Sequence, residues 1–273
     1  MKDDGWRIPD KLWEEMEPLL PPGKPHPLGC HHPRVPDRDA MNAILFVLRT
    51  GCQWGALDAT GLCNHSSAHR RFQEWVQAGV FEQFWIYGLF AYDELEGIDW
   101  SWLSMDGAMT KAPLGGEKTG PNPTDRAKKG AKRSLLTEAK GIPLATVVAG
   151  ANRNDFKPAP ETLGNIEVER PLPTPEHPQG MCMDKDYDRP EIYGLLKAFG
   201  FTAHIRARGK EVKALKRSAR SKARRWVVER THSWLNRFRA LLIRWNKKAE
   251  NYLGLLHLAL GIITWRQTLL MIQ

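Results

Sequence analysis

The sequence predicts an α/β fold, a mixed five-stranded sheet flanked by helices and preceded by a small all-helical N-terminal part. Three observations carry this. Apolar residues before Gly97 recur at helical spacing, short apolar runs bounded by turn signals follow Gly97, and the C-terminal part returns to helical periodicity. The 273 residues are enough for one large domain or two modest ones, each able to bury a core. The boundary is placed so that residues 1–97 form the helical domain and residues 98–273 the sheet-bearing one.

In the first part, Asp10 to Leu20 sets Leu12, Trp13, Met16 and Leu19 on one side of a helix that Pro21 and Pro22 end. A second helix, Asp37 to Arg49, stacks Met41, Ile44, Leu45 and Leu48, with Gly51 beyond its end. A third starts near the cap candidates Ser66 and Ser67, buries Phe72, Trp75 and Val76, and stops at Gly79. A fourth runs through Phe81, Phe84, Trp85 and Leu89. The second and third could form a helix-turn-helix that turns His69, Arg70 and Gln73 toward a DNA groove. Residues 1–100, however, hold nine Lys or Arg against fifteen acids, so a packing or dimerisation module is the other reading.

After Gly97 the predicted strands are Trp102 to Ala108, Arg133 to Ala139 and Ile142 to Ala149, the last two joined by a Lys140-Gly141 hairpin turn. Pro158 to Ile166 suits a helix, Met181 to Met183 a short buried strand, Pro190 to Phe199 a helix and Phe201 to Arg206 a fifth strand. Three strands, helix, strand, helix, strand and terminal helices describe a mixed sheet with helices on its faces.

Charge points to the partner. From Arg206 to Lys248 there are sixteen Lys or Arg and two acids, a local +14 within a chain of net +9. A positive field this concentrated attracts a polyanion and releases its condensed counterions, so nucleic acid is the natural partner. Within that stretch Val227, Thr231, Trp234, Phe238, Leu241 and Trp245 recur at spacings of four and three, one stripe of a helix packed with the help of Trp226. Glu229 lies about 200° from Val227 around such a helix, on the polar face. Together with Asp106 and Asp184, in contexts that fit two strand ends, it forms a trio of carboxylates suited to magnesium, which prefers hard oxygen ligands.

Other classes are excluded. Met1 to Gly5 is acidic and lacks the features of a secretory signal. The longest apolar stretch, Tyr252 to Trp265, is fourteen residues, short of the ~20 needed to cross a bilayer, and suits a buried helix. Cys30, Cys52, Cys63 and Cys182 are scattered, as expected of reduced thiols in the cytoplasm. Neither Cys30-His31-His32 nor Cys63 with His65 and His69 is followed by a second ligand pair at zinc spacing.

Several blocks are specific enough to carry a resemblance. Arg225-Trp226-Val227-Val228-Glu229-Arg230-Thr231, continuing through Trp234-Leu235-Asn236-Arg237-Phe238-Arg239, resembles the glutamate motif of bacterial insertion-sequence transposases of the DDE type, in the group named after insertion sequence five. Gly120 to Arg126, Gly141 to Leu144, Ala151-Asn152-Arg153-Asn154-Asp155 and Met183-Asp184-Lys185-Asp186-Tyr187-Asp188 are similar to other motifs of that family, in the same order. Leu48 to Trp54 is similar to its N-terminal domain.

The resemblance implies a ribonuclease-H-like core with Asp106 on its first strand, Asp184 at the end of the fourth and Glu229 on a later helix, holding two Mg²⁺ ions for which Mn²⁺ can substitute. It implies hydrolysis at the ends of a mobile element, attack of the freed 3′-hydroxyl on target DNA, terminal inverted repeats and target DNA as partners, and a homodimer or higher oligomer near the nucleoid. Arg225 matches the family's basic position before the Glu. Arg230, Arg237 and Lys132 are candidate phosphate contacts, or else cations that pair locally.

Asp155 is read as a cap for the helix near Pro158. Three positions depart from the pattern: Lys222 replaces a tyrosine, Asn236 a basic residue, and Asp186 a glycine. If that last position required positive φ, Asp would be tolerated less well than Gly. A DNA-binding descendant without catalysis, or a nuclease without strand transfer, would share the same motifs.

Overall fold

The structure, a computed structural model, describes residues 5–23, 34–205 and 226–271. Its helical N-terminal part contains α1 (Asp10–Met16, followed by a 3-10 turn at Glu17–Leu19), α2 (Asp37–Thr50), α3 (His65–Gln77) and α4 (Val80–Leu95). The caps follow from local chemistry. Gly51 and Gly79 adopt φ of 68° and 72° next to helix ends, where a side chain would be strained. Asn64, rather than Ser66 or Ser67, caps α3, accepting from the main-chain N–H groups of both serines at 3.0 and 3.4 Å. Between α2 and α3 the chain makes a 3-10 helix at Trp54–Ala59. That connection exceeds the roughly three to four residues of a helix-turn-helix turn.

Among the described residues six strands make one sheet: β1 (Trp102–Lys111), β2 (Gly120–Pro121), β3 (Lys129–Thr137), β4 (Pro143–Gly150), β5 (Gly180–Met183) and β6 (Thr202–Ile205). Beyond the five expected there is β2, a two-residue strand pairing with the start of β3, where Pro121 needs to donate no ladder hydrogen bond. β3 runs antiparallel to β1, β2 and β4, whereas β5 runs parallel to β1 and β6, so the order across the main sheet is β4-β3-β1-β5-β6. This is a mixed, ribonuclease-H-like sheet. β4 is buried along its whole length, as both faces are covered: α5 (Ala159–Gly164) packs on β3 and β4, and α8 (Ala249–Met271) also packs on β4. α6 (Pro190–Ala198) supports β6, and α7 (Trp226–Leu235) lies across β1 and β3.

Two expectations about the C-terminal helices change. Val227 and Thr231 are buried as the stripe requires, but α7 stops at Leu235. Beyond it the chain is drawn to the sheet: Arg244 donates its main-chain N–H to the Lys111 carbonyl at 2.8 Å, and its wholly buried guanidinium donates to the Glu117 carbonyl at 2.6 Å. Phe238 and Leu241 still reach the core, whereas Trp226 and Trp245 are half exposed, at 51% and 52%.

The final helix, α8, extends the fourteen-residue apolar stretch to 23 residues and is long and apolar enough by composition to cross a membrane. Of its most apolar window, however, 67% is buried within the protein. Gly254 and Gly261 allow this approach, since a Cβ at either would stand 2.5 Å from Val76 or Phe84. Trp265 locks it by donating to the Phe84 carbonyl at 2.8 Å. The residues of α1–α4, the sheet and α8 thus share one hydrophobic core, each fully buried Leu, Phe or Ile contributing about 1.5–3 kcal/mol.

Candidate active site

Strand pairing brings the first two acids level. Ser104 of β1 pairs with Cys182 of the parallel β5, and Asp106 and Asp184 each lie two residues further on, Asp184 just past the end of β5 but Asp106 in the middle of β1 rather than at the strand end expected. Asp184 ends its strand as the N-cap of a 3-10 turn, Lys185–Tyr187, accepting from the Asp186 N–H at 2.7 Å. Glu229 arrives on α7, exposed, on the face turned from Val227 and Val228.

A fourth carboxylate joins them. Asp155 does not cap α5, whose N-terminus has no side-chain cap. Its carboxylate lies so close to Gly107 that any Cβ there would collide with it, and its Oδ1 is 2.7 Å from Lys132 Nζ. Burial, and then the charges of Asp184, Asp155 and Glu229, push the Asp106 carboxyl up to about 6, against the downward pull of the Gly107 N–H. Acids from four separate segments therefore act on one another here.

This hard-oxygen donor set suits Mg²⁺ or Mn²⁺ better than zinc or copper, and a carboxyl driven up by burial first and then by neighbouring acids marks a place short of positive charge. Among the described residues, no three His, Cys, Asp or Glu stand close enough together to hold a metal ion as they are placed. Glu229 is the most exposed of the expected trio.

The site rests on a buried polar layer that sequence reasoning missed. His232, one turn after Glu229, is buried beside the Asp106 main chain; burial, then the Arg133 charge, hold its ring down to about 3, so it is neutral. Arg133, 3% exposed on β3, donates to Asn236 Oδ1 at 3.3 Å. In sequence both residues look like ordinary members of a basic amphipathic pattern, and only the topology reveals their burial.

α7 is fixed by the β3–β4 hairpin. Glu138, wholly buried, accepts from the N–H groups of Lys140 and Ile142 at 2.8 and 2.9 Å, closing the turn. Gly141 then takes φ of 89°, and its carbonyl accepts from Thr231 Oγ1 at 2.7 Å. Arg230 donates to the Lys140 carbonyl and sits 4.9 Å from the rings of both Trp226 and Trp234.

The expected phosphate contacts fare differently. Lys132 is corrected: it is 5% exposed, paired with Asp155 and donating to the Arg153 carbonyl at 2.7 Å, because β3 is buried on both faces from Gly130 to Thr137. Arg230 is half-buried in its aromatic sandwich, while Arg237 and Arg70 are exposed. Arg225, Lys222, and Cys30 with His31 and His32 lie outside the described residues. Cys63, His65 and His69 are described but form no metal group; His65 pairs with Asp58 at 2.6 Å. Asp186 has no positive φ, so glycine is not demanded by the backbone at that position. Its charge instead adds to those of Asp106, Asp155 and Asp184 around the buried Tyr187, whose hydroxyl is raised well above its usual range, by burial first.

Known proteins match along most of the chain. Residues 8–85 match the family described as "Putative transposase of IS4/5 family", and residues 101–263 match "Transposase DDE domain". A Burkholderia cepacia protein described as "Putative transposase for insertion sequence element IS402" is 37% identical over 154 residues, covering 55% of this chain and 70% of that protein. A 16.2 kDa protein of the same element, from the same organism, is 36% identical over 119 residues, covering 42% of this chain and 80% of that protein. Among solved structures, the catalytic domain of Mos1 mariner transposase is similar at 11% identity and a TM-score of 0.30, covering 69% of this chain and 91% of that one. The Mos1 paired end complex with Mn gives 12% identity and a TM-score of 0.28 over 98% of this chain and 90% of that one. With the DDE domain matched over more than half its length, the chain belongs to the DDE transposases of bacterial insertion sequences.

Proposed function

We propose that the protein cuts DNA at the ends of its own mobile element and joins the freed 3′-hydroxyl to target DNA, with Asp106, Asp184 and Glu229 as the residues that hold the divalent ions. The observation that supports this reading is the register that sets Asp106 and Asp184 level on adjacent strands, with Asp155 against Gly107 and the Asp106 carboxyl raised to about 6 by burial first and then by Asp184, Asp155 and Glu229. When bound, Mg²⁺ or Mn²⁺ supplies Lewis-acid stabilisation of the phosphoryl oxygens and lowers the pKa of the attacking water. The chain supplies the rest. Rigid strands fix Asp106 and Asp184, the Gly141–Thr231 contact sets the pitch of α7 and so the reach of Glu229, and Lys132 holds Asp155 away from free rotation.

Exposed Arg237 and Arg70, with Arg225, are the proposed phosphate contacts that align the strand. Residues 1–97 are proposed to bind the element's ends or a second copy, the working form being a homodimer or larger assembly in the cytoplasm, at the nucleoid. Labelled terminal-repeat DNA with Mg²⁺ tests the reading. Nicked and joined products are expected from the native protein, and Glu229→Gln should abolish both while retaining gel-shift binding. Unchanged nicking by Glu229→Gln would remove Glu229 from the chemistry.

A further inference from the structure

β3 and the loop after β4 build an ion pair against the strand that carries Asp106. Lys132 lies opposite Met109 in the ladder, and its side chain runs back along β1 to Gly107, where a Cβ would collide with Asp155 Oδ1 and stand 3.4 Å from Lys132 Cδ. The ammonium is held at 2.7 Å by Asp155 Oδ1 and at 2.7 Å by the Arg153 carbonyl, so two of its three donors are engaged by this loop. The Lys132 side chain is 6% exposed, whereas that of Asp155 keeps 24%. After burial, the charge of Asp155 is among those that raise the Asp106 carboxyl and the Tyr187 hydroxyl. The pair thus belongs to one electrostatic unit with the carboxylates, although neither residue is among the three proposed to hold ions.

Stability does not account for the pair. A buried ammonium has to be desolvated, and an apolar side chain of similar shape commonly packs as well as a buried ion pair or better. What such a side chain could not supply is charge. The four carboxylates of Asp106, Asp155, Asp184 and Glu229 would just cancel two divalent ions. A fixed ammonium beside them adds the positive charge that a singly negative phosphodiester can answer. It also engages Asp155, which would otherwise be a fourth unclaimed hard-oxygen donor beside the ions.

We propose that Lys132 is the internal counter-ion of the centre: through Asp155 it restrains the affinity for divalent ions and leaves the loaded centre positive toward the phosphodiester. Lys132 is thereby a positioning residue that does not itself touch DNA. The inference rests on the cleavage reading, and the test separates the two.

Mn²⁺ binding to the full-length protein without DNA is measured by isothermal titration at pH 8 for the native protein, Lys132→Met, Asp155→Asn, the double variant and Asp106→Asn. Lys132→Met should bind Mn²⁺ about tenfold more tightly, because an uncompensated carboxylate is left beside the ions, and Asp155→Asn about tenfold more weakly, because an uncompensated ammonium is. The double variant should return close to the native affinity. A role in packing alone would not move the single variants in opposite directions. In gel shifts of a labelled duplex, with Ca²⁺ in place of Mg²⁺, Lys132→Met should hold DNA about tenfold less tightly than the native protein. Melting curves in EDTA identify the folded variants, and Asp155→Asn, at a partly exposed position, carries the test if Lys132→Met does not fold. The proposal is overturned if either folded single variant binds Mn²⁺ as the native protein does, if both shift in the same direction, or if Lys132→Met holds the duplex unchanged. Native Mn²⁺ affinity in Asp106→Asn would remove the carboxylate centre itself; lost affinity there, with unchanged pair variants, would remove only the role of Lys132.

Discussion

Asp106→Asn should stabilise the metal-free protein at neutral pH while destroying its activity. The carboxyl is held up to about 6 against an ordinary 3.8, principally by burial. A folded-state value above the unfolded one means that the group's contribution to stability is complete below pH 3.8 and is lost as pH rises through about 6. At pH 7.5 the loss is complete and corresponds to about 3 kcal/mol; at pH 5 it is about half of that. Removing the charge removes the penalty. In EDTA at pH 7.5 the variant should therefore melt several degrees above the native protein, at ~2–4 °C per kcal/mol for a chain approaching this size. The gap should narrow at pH 5. Added Mg²⁺ should raise the melting temperature of the native protein, since a ligand that binds only the folded state stabilises it, and should do little for the variant. Scanning calorimetry at the two pH values, with and without Mg²⁺, decides the matter. A variant no more stable than the native protein in EDTA, or a gap that ignores pH, would refute the idea that Asp106 is strained by burial and by its acidic neighbours.

Two further outcomes follow from contacts around the site. Lys132→Met should cost about 2–3 kcal/mol in urea denaturation, less than the ~3–5 kcal/mol of a fully buried broken pair because Asp155 keeps 24% exposure. Adding Asp155→Asn should recover part of that loss. Gly141→Ala places a side chain at φ of 89° and against Arg230 and Thr231, so about 1–2 kcal/mol of stability should go. Because the shift passes to the helix that carries Glu229, nicking should fall more than gel-shift binding does.

How much of this was legible in the sequence depends on the range of the interaction. Helices α2 and α4, the Lys140-Gly141 turn and the short strand before Asp184 are set by neighbours in the chain, and their spacing and turn residues announce them. The end of α7 is not: its apolar stripe runs on to Trp245, but Arg244 bonds to carbonyls near the end of β1, a contact between segments far apart in sequence, and the helix yields to it. The same holds within the site. Asp184 and Glu229 could be picked out because each sits in a recognisable motif and Asp106 because of its place on the first predicted strand, whereas Asp155 resembled a helix cap and Lys132 a surface cation. Their mutual contact, and the glycine at 107 that makes room for it, exist only once β1 and β3 pair. His232 and Arg133 gave no signal at all, since a buried histidine on a basic helix looks in sequence like any solvated one.

The most direct measurement is nicking of terminal-repeat DNA by Asp106→Cys in Mg²⁺ and in Mn²⁺. A thiolate is a poor ligand for Mg²⁺ and a better one for a softer ion. If Asp106 touches the metal, the variant should be inactive in Mg²⁺ and regain nicking in Mn²⁺, with DNA binding unchanged throughout. Full activity in Mg²⁺ would contradict a metal-holding role for Asp106 and, with it, the proposed centre.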